Sequence, residues 1–369
     1  MRFLMLGCLV VLMGCSQPAP EEKTEKLIRS YPLLYAEGFS ILEYESYWQV
    51  NVHEAFPGAD TLSYRISKNN QPQYLPMEAE RVICTSTTHL PALAMLNEAT
   101  SLVGFPGTKY ISTTEFQPLI QSEAITELGQ DQQLNIEKIA SLEPAWVMAF
   151  SQGNDQKQLN KLQQMGIHVI LNGDYMEKTV LGRAEWIKFM AVFFNKLDLA
   201  DSLFSQIETT YNQLRTRAGT VSNKPSVMKG LLYGDRWFVP GGANWGATLI
   251  EDAGGAYIWS SNDDKGWLEL SYETVLDAAG NSDYWIGVGS ITTMQELKAA
   301  DTRYEQFKPF QTGRVYSYAG RIGPGGGVDY LENGYARPDI VLKDLVKILH
   351  PELISDHNLY FFMPLSNGS

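Results

Sequence analysis

The chain has 369 residues, and its 29 Lys and Arg against 42 Asp and Glu give a formal net charge of −13. A 44% hydrophobic and 19% charged composition is typical of a folded globular protein, and the length suffices for two domains. An acidic chain without a Lys/Arg cluster gains little from phosphate neutralisation, so nucleic acid is excluded as a partner. No window after residue 15 approaches about 18 uninterrupted apolar residues, so we expect no membrane-spanning helix in the mature protein.

The first residues are predicted to be a secretion signal. A cation at Arg2 precedes an apolar run over 3–13, then Gly14 and Cys15. The end of this segment resembles the lipobox of bacterial lipoproteins, which predicts a signal peptide over 1–14 and lipidation of Cys15. Residues 15–32 turn polar and proline-containing, as a lipid-anchored linker should. An ordinary signal peptide with a chance cysteine is the alternative.

Cysteine usage follows from that cleavage. Cys8 is removed with the signal peptide and Cys15 is acylated, which leaves Cys84 as a free thiol and allows no disulfide within the chain. Since Cys84 lies in an apolar stretch, we predict a small buried side chain rather than a reactive nucleophile.

An N-terminal β-hairpin extension is predicted over 33–76. Two runs of apolar residues alternate with polar ones on either side of a Pro57-Gly58 turn, which is the period of half-buried strands. The first run is Leu42, Tyr44, Trp48, Val50 and Val52, and the second is Leu62, Tyr64 and Ile66.

Beyond this extension, short apolar runs alternate with longer amphipathic segments, which predicts an α/β fold with mainly parallel sheets. A first lobe over 77–196 has predicted strands at 81–85, 102–105, 145–150 and 169–171 and helices at 90–97, 136–141 and 155–165. A second lobe over 219–369 has predicted strands at 226–233, 284–288 and 315–317 and helices at 247–253 and 339–349.

One long helix over 197–218 is predicted to join the two Rossmann-like lobes. Its apolar residues, spaced by 4, 4, 4 and 3, form one stripe, and about 20 helical residues span about 30 Å. The stripe consists of Leu199, Leu203, Ile207, Tyr211 and Leu214.

Candidate ligand contacts lie where predicted strands end. Ser86, Thr87 and Thr88 follow the first strand of the first lobe and open a helix, and ligands of open α/β sheets bind at that edge. Plain helix capping is an equally good explanation of these hydroxyls. Aromatic residues gather in loops predicted at the same edge, as a large organic ligand would require, although each alone could belong to the core. They include Tyr110, Phe150, Trp237, Trp245 and Trp267.

A glycine-rich loop over 323–327 lacks the spacing and lysine of a phosphate-binding loop, and we interpret it either as a flexible cover over a ligand or as a plain surface loop. Arg321 beside it is a candidate for binding anionic groups. The common hydrolase, zinc and calcium motifs are absent from the sequence, and the five histidines show no metal-ligand spacing. A carboxylate pair of a hydrolase remains open, because 42 acidic residues allow many neighbours.

Together these segments resemble the substrate-binding lipoproteins of ABC importers for iron siderophores, haem and cobalamin (class III periplasmic binding proteins). The resemblance covers roughly 81–353. It is carried by Arg81-Val82-Ile83, Glu127-Leu128-Gly129, Asn135-Ile136-Glu137-Lys138, Leu142-Glu143-Pro144-Ala145, Leu249-Ile250-Glu251-Asp252-Ala253-Gly254-Gly255, Ser271-Tyr272-Glu273, Gly313-Arg314-Val315-Tyr316 and Arg337-Pro338-Asp339.

This resemblance implies two lobes with the ligand held between them, and a protein that is not an enzyme. It implies no cofactor of the protein's own, since any iron or cobalt would belong to the transported ligand. The partners it implies are an ABC permease/ATPase complex, a small-molecule metal chelate and the membrane through the lipid anchor, with the receptor acting as a monomer on the periplasmic or cell-surface side.

The resemblance also implies roles for individual residues that match the family's motifs. Glu137 and Glu251 match the acidic residues, one on each lobe, through which the family docks to its permease, as carboxylates would meet two arginines of a two-fold partner. Phe150 and Trp245 fall where the cobalamin binder has ligand-facing loops. Asp235, Arg236 and Trp237 follow the second lobe's first strand, where the family places cargo contacts.

Two other functions stay open. One is a cell-surface hydrolase that uses a carboxylate pair in the same cleft. The other is an adhesion or sensing module that keeps the fold but has no permease partner.

Overall fold

A computed structural model describes residues 25–130 and 133–367. The predicted signal peptide over 1–14 and the predicted lipidation site Cys15 lie outside these residues. Within the two described ranges, no helix combines the length and the apolar character needed to cross a membrane.

The N-terminal extension is a four-stranded antiparallel sheet, larger than the predicted hairpin. Its strands, in spatial order, are β1 Leu27–Ser30, β2 Phe39–Tyr44, β3 Tyr47–Val52 and β4 Leu62–Ser67. The strand expected across 42–52 is divided by a turn at Glu45 and Ser46. A two-residue turn leaves the even-odd alternation in phase, so periodicity alone could not reveal it.

This sheet is fixed to the first lobe by packing and by hydrogen bonds. The ring of Phe39 lies 4.6 Å from that of Trp186, and the hydroxyl of Tyr64 accepts the backbone N–H of Leu171 at 2.8 Å. The buried carboxylate of Glu185 accepts backbone N–H groups from residues 34, 35 and 36 and an N–H of Lys188. The extension is therefore part of the folded body.

The first lobe has a five-stranded parallel sheet in the order β11-β10-β5-β6-β7, with every residue of β5, β6, β10 and β11 buried. Such strands are covered on both faces. The strands are β5 Val82–Cys84, β6 Leu102–Phe105, β7 Thr126–Glu127, the ribbon β8 Gly129–Gln130 with β9 Gln133–Leu134, β10 Trp146–Ala149 and β11 Val169–Leu171; the helices are α1 Leu90–Met95, α2 Gln117–Gln121, α3 Ile136–Ser141, α4 Gln156–Gln164, α5 Val180–Glu185 and α6 Ile187–Val192.

Helix α7 (Leu197–Gly219) connects the lobes. Its buried residues include Ala200 and Phe204 where the sequence stripe has Leu199 and Leu203, which are half-buried. A spacing of four advances about 40° per step around the helix, so the predicted stripe rotates away from the face centred near Ile207. The N-terminal half of α7 joins the core of the first lobe and the C-terminal half joins that of the second.

The second lobe has a five-stranded sheet in the order β15-β12-β17-β18-β19, parallel except for β19, and an antiparallel sheet in the order β13-β14-β16. Its strands are β12 Ser226–Met228, β13 Leu231–Tyr233, β14 Arg236–Pro240, β15 Ala256–Tyr257, β16 Trp267–Leu270, β17 Tyr284–Ile286, β18 Val315–Ser317 and β19 Met363–Pro364; its helices are α8 Trp245–Asp252, α9 Tyr272–Ala279, α10 Met294–Ala300, α11 Lys308–Gln311, α12 Asp329–Asn333 and α13 Pro338–Leu349.

The strand predicted over 226–233 is two strands in different sheets. Gly230 separates them with a φ of +84°, and a Cβ atom there would lie 1.9 Å from the carbonyl oxygen of Phe238. Only glycine fits that turn. The predicted class, α/β with two lobes, is confirmed.

The lobes are also joined by a contact that does not involve α7, between the glycine-rich loop over 323–327 and residues 109 and 110. A Cβ atom at Gly325 would lie 2.0 Å from the carbonyl oxygen of Lys109, and one at Gly327 would lie 1.8 Å from that of Tyr110. The glycine-rich loop therefore packs directly against first-lobe backbone, and it is neither a cover over the cleft nor a plain surface loop. Beside it, the buried carboxylate of Glu332 accepts hydrogen bonds from Ser112 and Thr113.

Candidate functional site

A cavity of about 370 Å³ lies between the lobes. One part of its first-lobe wall consists of residues that follow strands: Ser86, Thr88 and His89 after β5, Phe150 after β10, and Asn172, Asp174 and Tyr175 after β11. The other part comes from residues of α1, α5 and α6 and from Trp186 between the last two. Trp245, Trp267 and Tyr335 form the second-lobe wall. The carboxyl ends of three parallel strands thus face the aromatic side chains of the other lobe.

A second cavity of about 570 Å³ continues into the second lobe. It shares Trp245, Trp267 and Tyr335 with the first cavity, so the two form one interlobe cleft. Its other lining residues are mainly aromatic, aliphatic or glycine; they include Tyr233, Phe238, Tyr318, Leu231, Gly287 and Gly289, with Lys229 as the charged exception.

Arg183 of α5 lies at the boundary between these cavities. Its guanidinium carbon is 4.9 Å from the ring centre of Trp245 and 4.7 Å from that of Tyr335. Its Nε and Nη2 donate to the carbonyl oxygens of Glu177 and Tyr175 at 2.8 and 3.1 Å. A first-lobe cation is thereby stacked on two second-lobe rings, which fixes both rings relative to the first lobe.

His89 lies on the first-lobe wall with a side chain that is 1% exposed. Neither of its ring nitrogens has a hydrogen-bond partner within residues 25–130 and 133–367, and the same holds for the buried Oδ1 of Asp174 nearby. Burial lowers the pKa of His89, which favours the neutral ring. Since buried polar atoms are nearly always paired, these atoms at a cavity wall are candidates for contacts with a ligand or with ordered water.

Two of the hydroxyl side chains that follow β5, Ser86 and Thr88, take part in capping the next turn and also line the first cavity. Ser86 Oγ accepts the backbone N–H of Thr88 at 3.3 Å and lies 2.9 Å from Thr88 Oγ1. Thr87 is half-buried in the following 3₁₀ turn and lines neither cavity of the cleft. Capping therefore does not keep Ser86 and Thr88 from lining the cavity, and their contact with a ligand stays a prediction.

Trp237, expected as a ligand contact, is instead a core residue. Its ring is 0% exposed and packs 5.5 Å from Trp285 and 5.2 Å from Phe307, and its Nε1 donates to the carbonyl oxygen of Lys229. Neighbouring residues of a strand point to opposite faces, so Phe238 lines the cleft while Trp237 faces the core.

Four other predicted contacts line neither of these two cavities. Asp235 and Arg236 are exposed near the turn between β13 and β14, and Tyr110 is 52% exposed beside the glycine-rich loop. Arg321 pairs with Asp329 at 3.0 Å in a smaller cavity of about 170 Å³, which both lobes line and which shares Met95 with the first cavity.

The two predicted docking acids occupy separate lobes. Glu137 is exposed in the first turn of α3, where Asn135 caps the helix by accepting the N–H of Lys138, and Glu251 is exposed in the last turn of α8. Neither carboxylate has a hydrogen bond or ion pair with the described part of the chain. Both are therefore accessible to a partner.

Cys84 is fully buried, which confirms the predicted small core residue, and burial raises the pKa of its thiol. Among the residues that the structure describes, no group of three or more His, Cys, Asp or Glu side chains is arranged to hold a metal ion.

Residues 82–321 match the family model described as "Periplasmic binding protein". An uncharacterized lipoprotein of Methanocaldococcus jannaschii is 28% identical over 292 residues, which are 77% of this chain and 68% of that protein.

Three solved structures are also similar. A possible iron-binding periplasmic solute-binding protein of Staphylococcus epidermidis has a TM-score of 0.57 at 16% identity, covering 74% of this chain and 99% of that one. A periplasmic haem-binding protein of Vibrio cholerae has 0.55 at 18%, covering 71% and 99%. A vitamin B12-binding protein of the same species has 0.51 at 16%, covering 76% and 100%. These are binding proteins and not enzymes. The match to the family model spans well over half of the sequence, and the chain belongs to the periplasmic binding protein family.

Proposed function

We propose that the protein is a lipid-anchored extracytoplasmic receptor that captures an iron-siderophore, haem or cobalamin-type ligand and delivers it to an ABC permease/ATPase complex. The observation that carries this proposal is the continuous interlobe cleft whose two cavities share Trp245, Trp267 and Tyr335. The receptor acts as a monomer without a cofactor of its own, and the ligand supplies any iron or cobalt.

The size and lining of the cleft support a bulky chelate as ligand. Cavity volumes of about 370 and 570 Å³ are typical of binding sites for organic ligands. The aromatic side chains of the walls provide apolar surface against which a flat or rounded ligand can pack. The unpartnered nitrogens of His89 and the oxygen of Asp174 would meet polar groups at its edge. The family membership supports capture without chemical change.

Ligand retention tests the proposal directly. The purified protein is incubated separately with haemin, cyanocobalamin and ferric siderophores, passed through a desalting column, and analysed by absorbance and native mass spectrometry. We expect one class to be retained at one ligand per chain. Retention of none, together with hydrolysis of glycosides that is lost on substitution of a single Asp or Glu, would favour the hydrolase.

Charge reversal of Glu137 and Glu251 tests delivery. The double variant Glu137→Lys, Glu251→Lys is expected to lower ligand-dependent ATPase stimulation of the permease in proteoliposomes about ten-fold, because like charges would then meet at both lobes. Ligand affinity should stay unchanged, since both residues are exposed and lie outside the cleft.

The matched control reverses two other exposed acids, Glu115→Lys and Glu273→Lys, and should leave stimulation intact. Equal stimulation by the Glu137, Glu251 variant and the wild type would favour the adhesion or sensing module. A loss of ligand affinity in that variant would show that the two acids serve the ligand site instead.

Substitution of Cys15 tests the anchor. A diacylated cysteine carries two chains, which is enough for stable membrane attachment, so Cys15→Ser should move the protein from the membrane fraction to the soluble fraction. Fractionation with and without carbonate washing measures this, and Cys8→Ser is the control that should remain membrane-bound. Unchanged fractionation of Cys15→Ser would remove the anchor from the proposal.

A further inference from the structure

Lys229 directly follows β12 and lines the second-lobe cavity. Its ammonium group lies beside Gly287, where a Cβ atom would be 3.6 Å from Nζ, and its stem passes near Gly246. Because these two positions are glycine, neither places a side chain against the amine or its stem. The amine is thus placed at the wall of a cavity that is otherwise lined by rings, aliphatic side chains and glycine.

None of the described residues that line this cavity has an acidic side chain. Nζ of Lys229 makes no hydrogen bond or ion pair with residues 25–130 or 133–367. In a chain with a net charge of −13, a half-buried cation without a carboxylate partner is unusual. Enclosure in apolar surroundings disfavours the charged form and lowers the pKa of Lys229 to about 8.

The other charged groups that the structure describes in the cleft also leave Lys229 without a partner. The first-lobe part of the cleft contains Asp174 and Arg183, and Arg183 is already engaged by two carbonyl oxygens and two rings. Among the described residues, Lys229 is the charged group of the second-lobe part, and it has three N–H donors to offer. A cation in apolar surroundings either loses its proton or is stabilised by an anionic partner, and we expect the ligand to supply that partner.

We propose that Lys229 binds an anionic oxygen group, a carboxylate, on the ligand, and that the ligand is therefore a carboxylate-bearing chelate. This inference rests on the proposed function and narrows its ligand class. The apolar body of the ligand lies against Trp245, Trp267 and Tyr335, and its carboxylate extends into the second-lobe cavity.

Matched pairs of ligands test the inference. The pairs are haemin with its neutral dimethyl ester, ferric citrate with the neutral hydroxamate chelate ferrichrome, and cyanocobalamin with dicyanocobinamide, which lacks the phosphodiester together with the rest of the nucleotide loop. Dissociation constants are measured by quenching of tryptophan fluorescence for the wild type, Lys229→Met and Lys229→Arg.

We expect the wild type to bind the carboxylate member of the haemin or citrate pair more tightly than its neutral partner. Lys229→Met should weaken binding of that member about ten-fold and leave the neutral one within two-fold, whereas Lys229→Arg should restore most of the affinity. Should Lys229→Met not fold, Lys229→Gln serves in its place. If neither haemin nor ferric citrate binds, and Lys229→Met weakens binding of cyanocobalamin about ten-fold but not that of dicyanocobinamide, Lys229 would be assigned to a phosphate and the carboxylate overturned.

The pH dependence supplies a second readout. Between pH 7 and 9.5 the amine of Lys229 loses its proton, so wild-type affinity for the carboxylate ligand should fall with rising pH while that of Lys229→Met stays flat. The other titratable groups that face this cavity are Tyr233, Tyr318, Tyr330 and Tyr335, with Arg183 next to them, and burial raises the pKa of the last three tyrosines.

Two negative outcomes are distinguishable. Equal binding of charged and neutral partners by the wild type, unaffected by Lys229→Met, would overturn the role of Lys229 and leave the proposed function intact. Failure of the wild type to bind any of the six compounds would overturn the proposed function, and the inference with it.

Discussion

Replacing Glu332 with Ala is expected to lower the free energy of unfolding by about 3–5 kcal/mol. The Glu332 side chain is 2% exposed and accepts the backbone N–H groups of Ser112 at 2.7 Å and of Thr113 at 3.0 Å. It also accepts the hydroxyls of both residues. All of these donors belong to the other lobe. Removing the carboxylate would leave the two backbone N–H groups and the Thr113 hydroxyl buried without an acceptor, whereas the Ser112 hydroxyl would keep Asp329 as its partner at 3.2 Å.

Urea denaturation followed by circular dichroism and by tryptophan fluorescence measures this effect. If Glu332 couples the lobes, the two transitions of Glu332→Ala should separate, because the lobes would no longer unfold as one cooperative unit. Glu115→Ala is the matched control, since Glu115 is an exposed acid in the segment that follows Thr113. A loss below about 1 kcal/mol in Glu332→Ala, equal to that of the control, would contradict the role of Glu332.

Local patterns sufficed for much of the fold. The strands at 102–105 and 169–171 and the helix at 136–141 have the bounds that their apolar runs and caps predict. What the sequence pattern missed depends on contacts between distant segments. The break at Gly230 is imposed by the carbonyl oxygen of Phe238, and the glycine-rich loop is glycine because the backbone of Lys109 and Tyr110 approaches it.

The candidate site was predictable where topology alone decides position. Ser86, Thr88 and Phe150 follow parallel strands, and such ends meet at one edge of a sheet whatever the side chains do. The sequence pattern does not single out Lys229, because it lies inside a stretch, 226–233, whose apolar residues predict one continuous strand. His89 was missed because a lone histidine carries no motif, and only the folded structure shows that its nitrogens lack partners.

The alternation of buried and exposed residues in β14 distinguishes Trp237 from Phe238. In β14, alternate residues Trp237 and Val239 are buried, while Arg236 and Phe238 are exposed or half-buried. Assigning a strand there, rather than a ligand loop, predicts Phe238 and not Trp237 at the cleft. A two-residue turn between Tyr233 and Arg236, containing Gly234 with a φ of +65°, is typical of such a hairpin.

Contacts between the lobes make the cleft preformed. Helix α7, the carboxylate of Glu332, the glycine-rich loop and the stacked guanidinium of Arg183 each join one lobe to the other. A site held at several separate points loses little conformational entropy on binding, so side chains that line it should show their full contact energies.

Trp245 is where we expect the largest loss of ligand affinity. It lines both cavities, packs 5.2 Å from the ring of Tyr335 and lies against Arg183, so Trp245→Ala would remove the wall that the two cavities share. We expect the dissociation constant to rise about 30-fold, which corresponds to a loss of about 2 kcal/mol of binding free energy. Trp267 lines the same cavities but is 58% exposed at their rim, so Trp267→Ala should cost only about 1 kcal/mol.

Isothermal titration with the ligand identified by retention measures both losses, and Trp245→Phe is the control that keeps a ring in place. Thermal unfolding of each unliganded variant separates a loss of contact from a loss of structure, because Trp245 begins α8 and its removal also frees one face of Arg183. If Trp245→Ala retained wild-type affinity while Trp267→Ala did not, the ligand would be held at the rim, and the shared wall would have no part in binding.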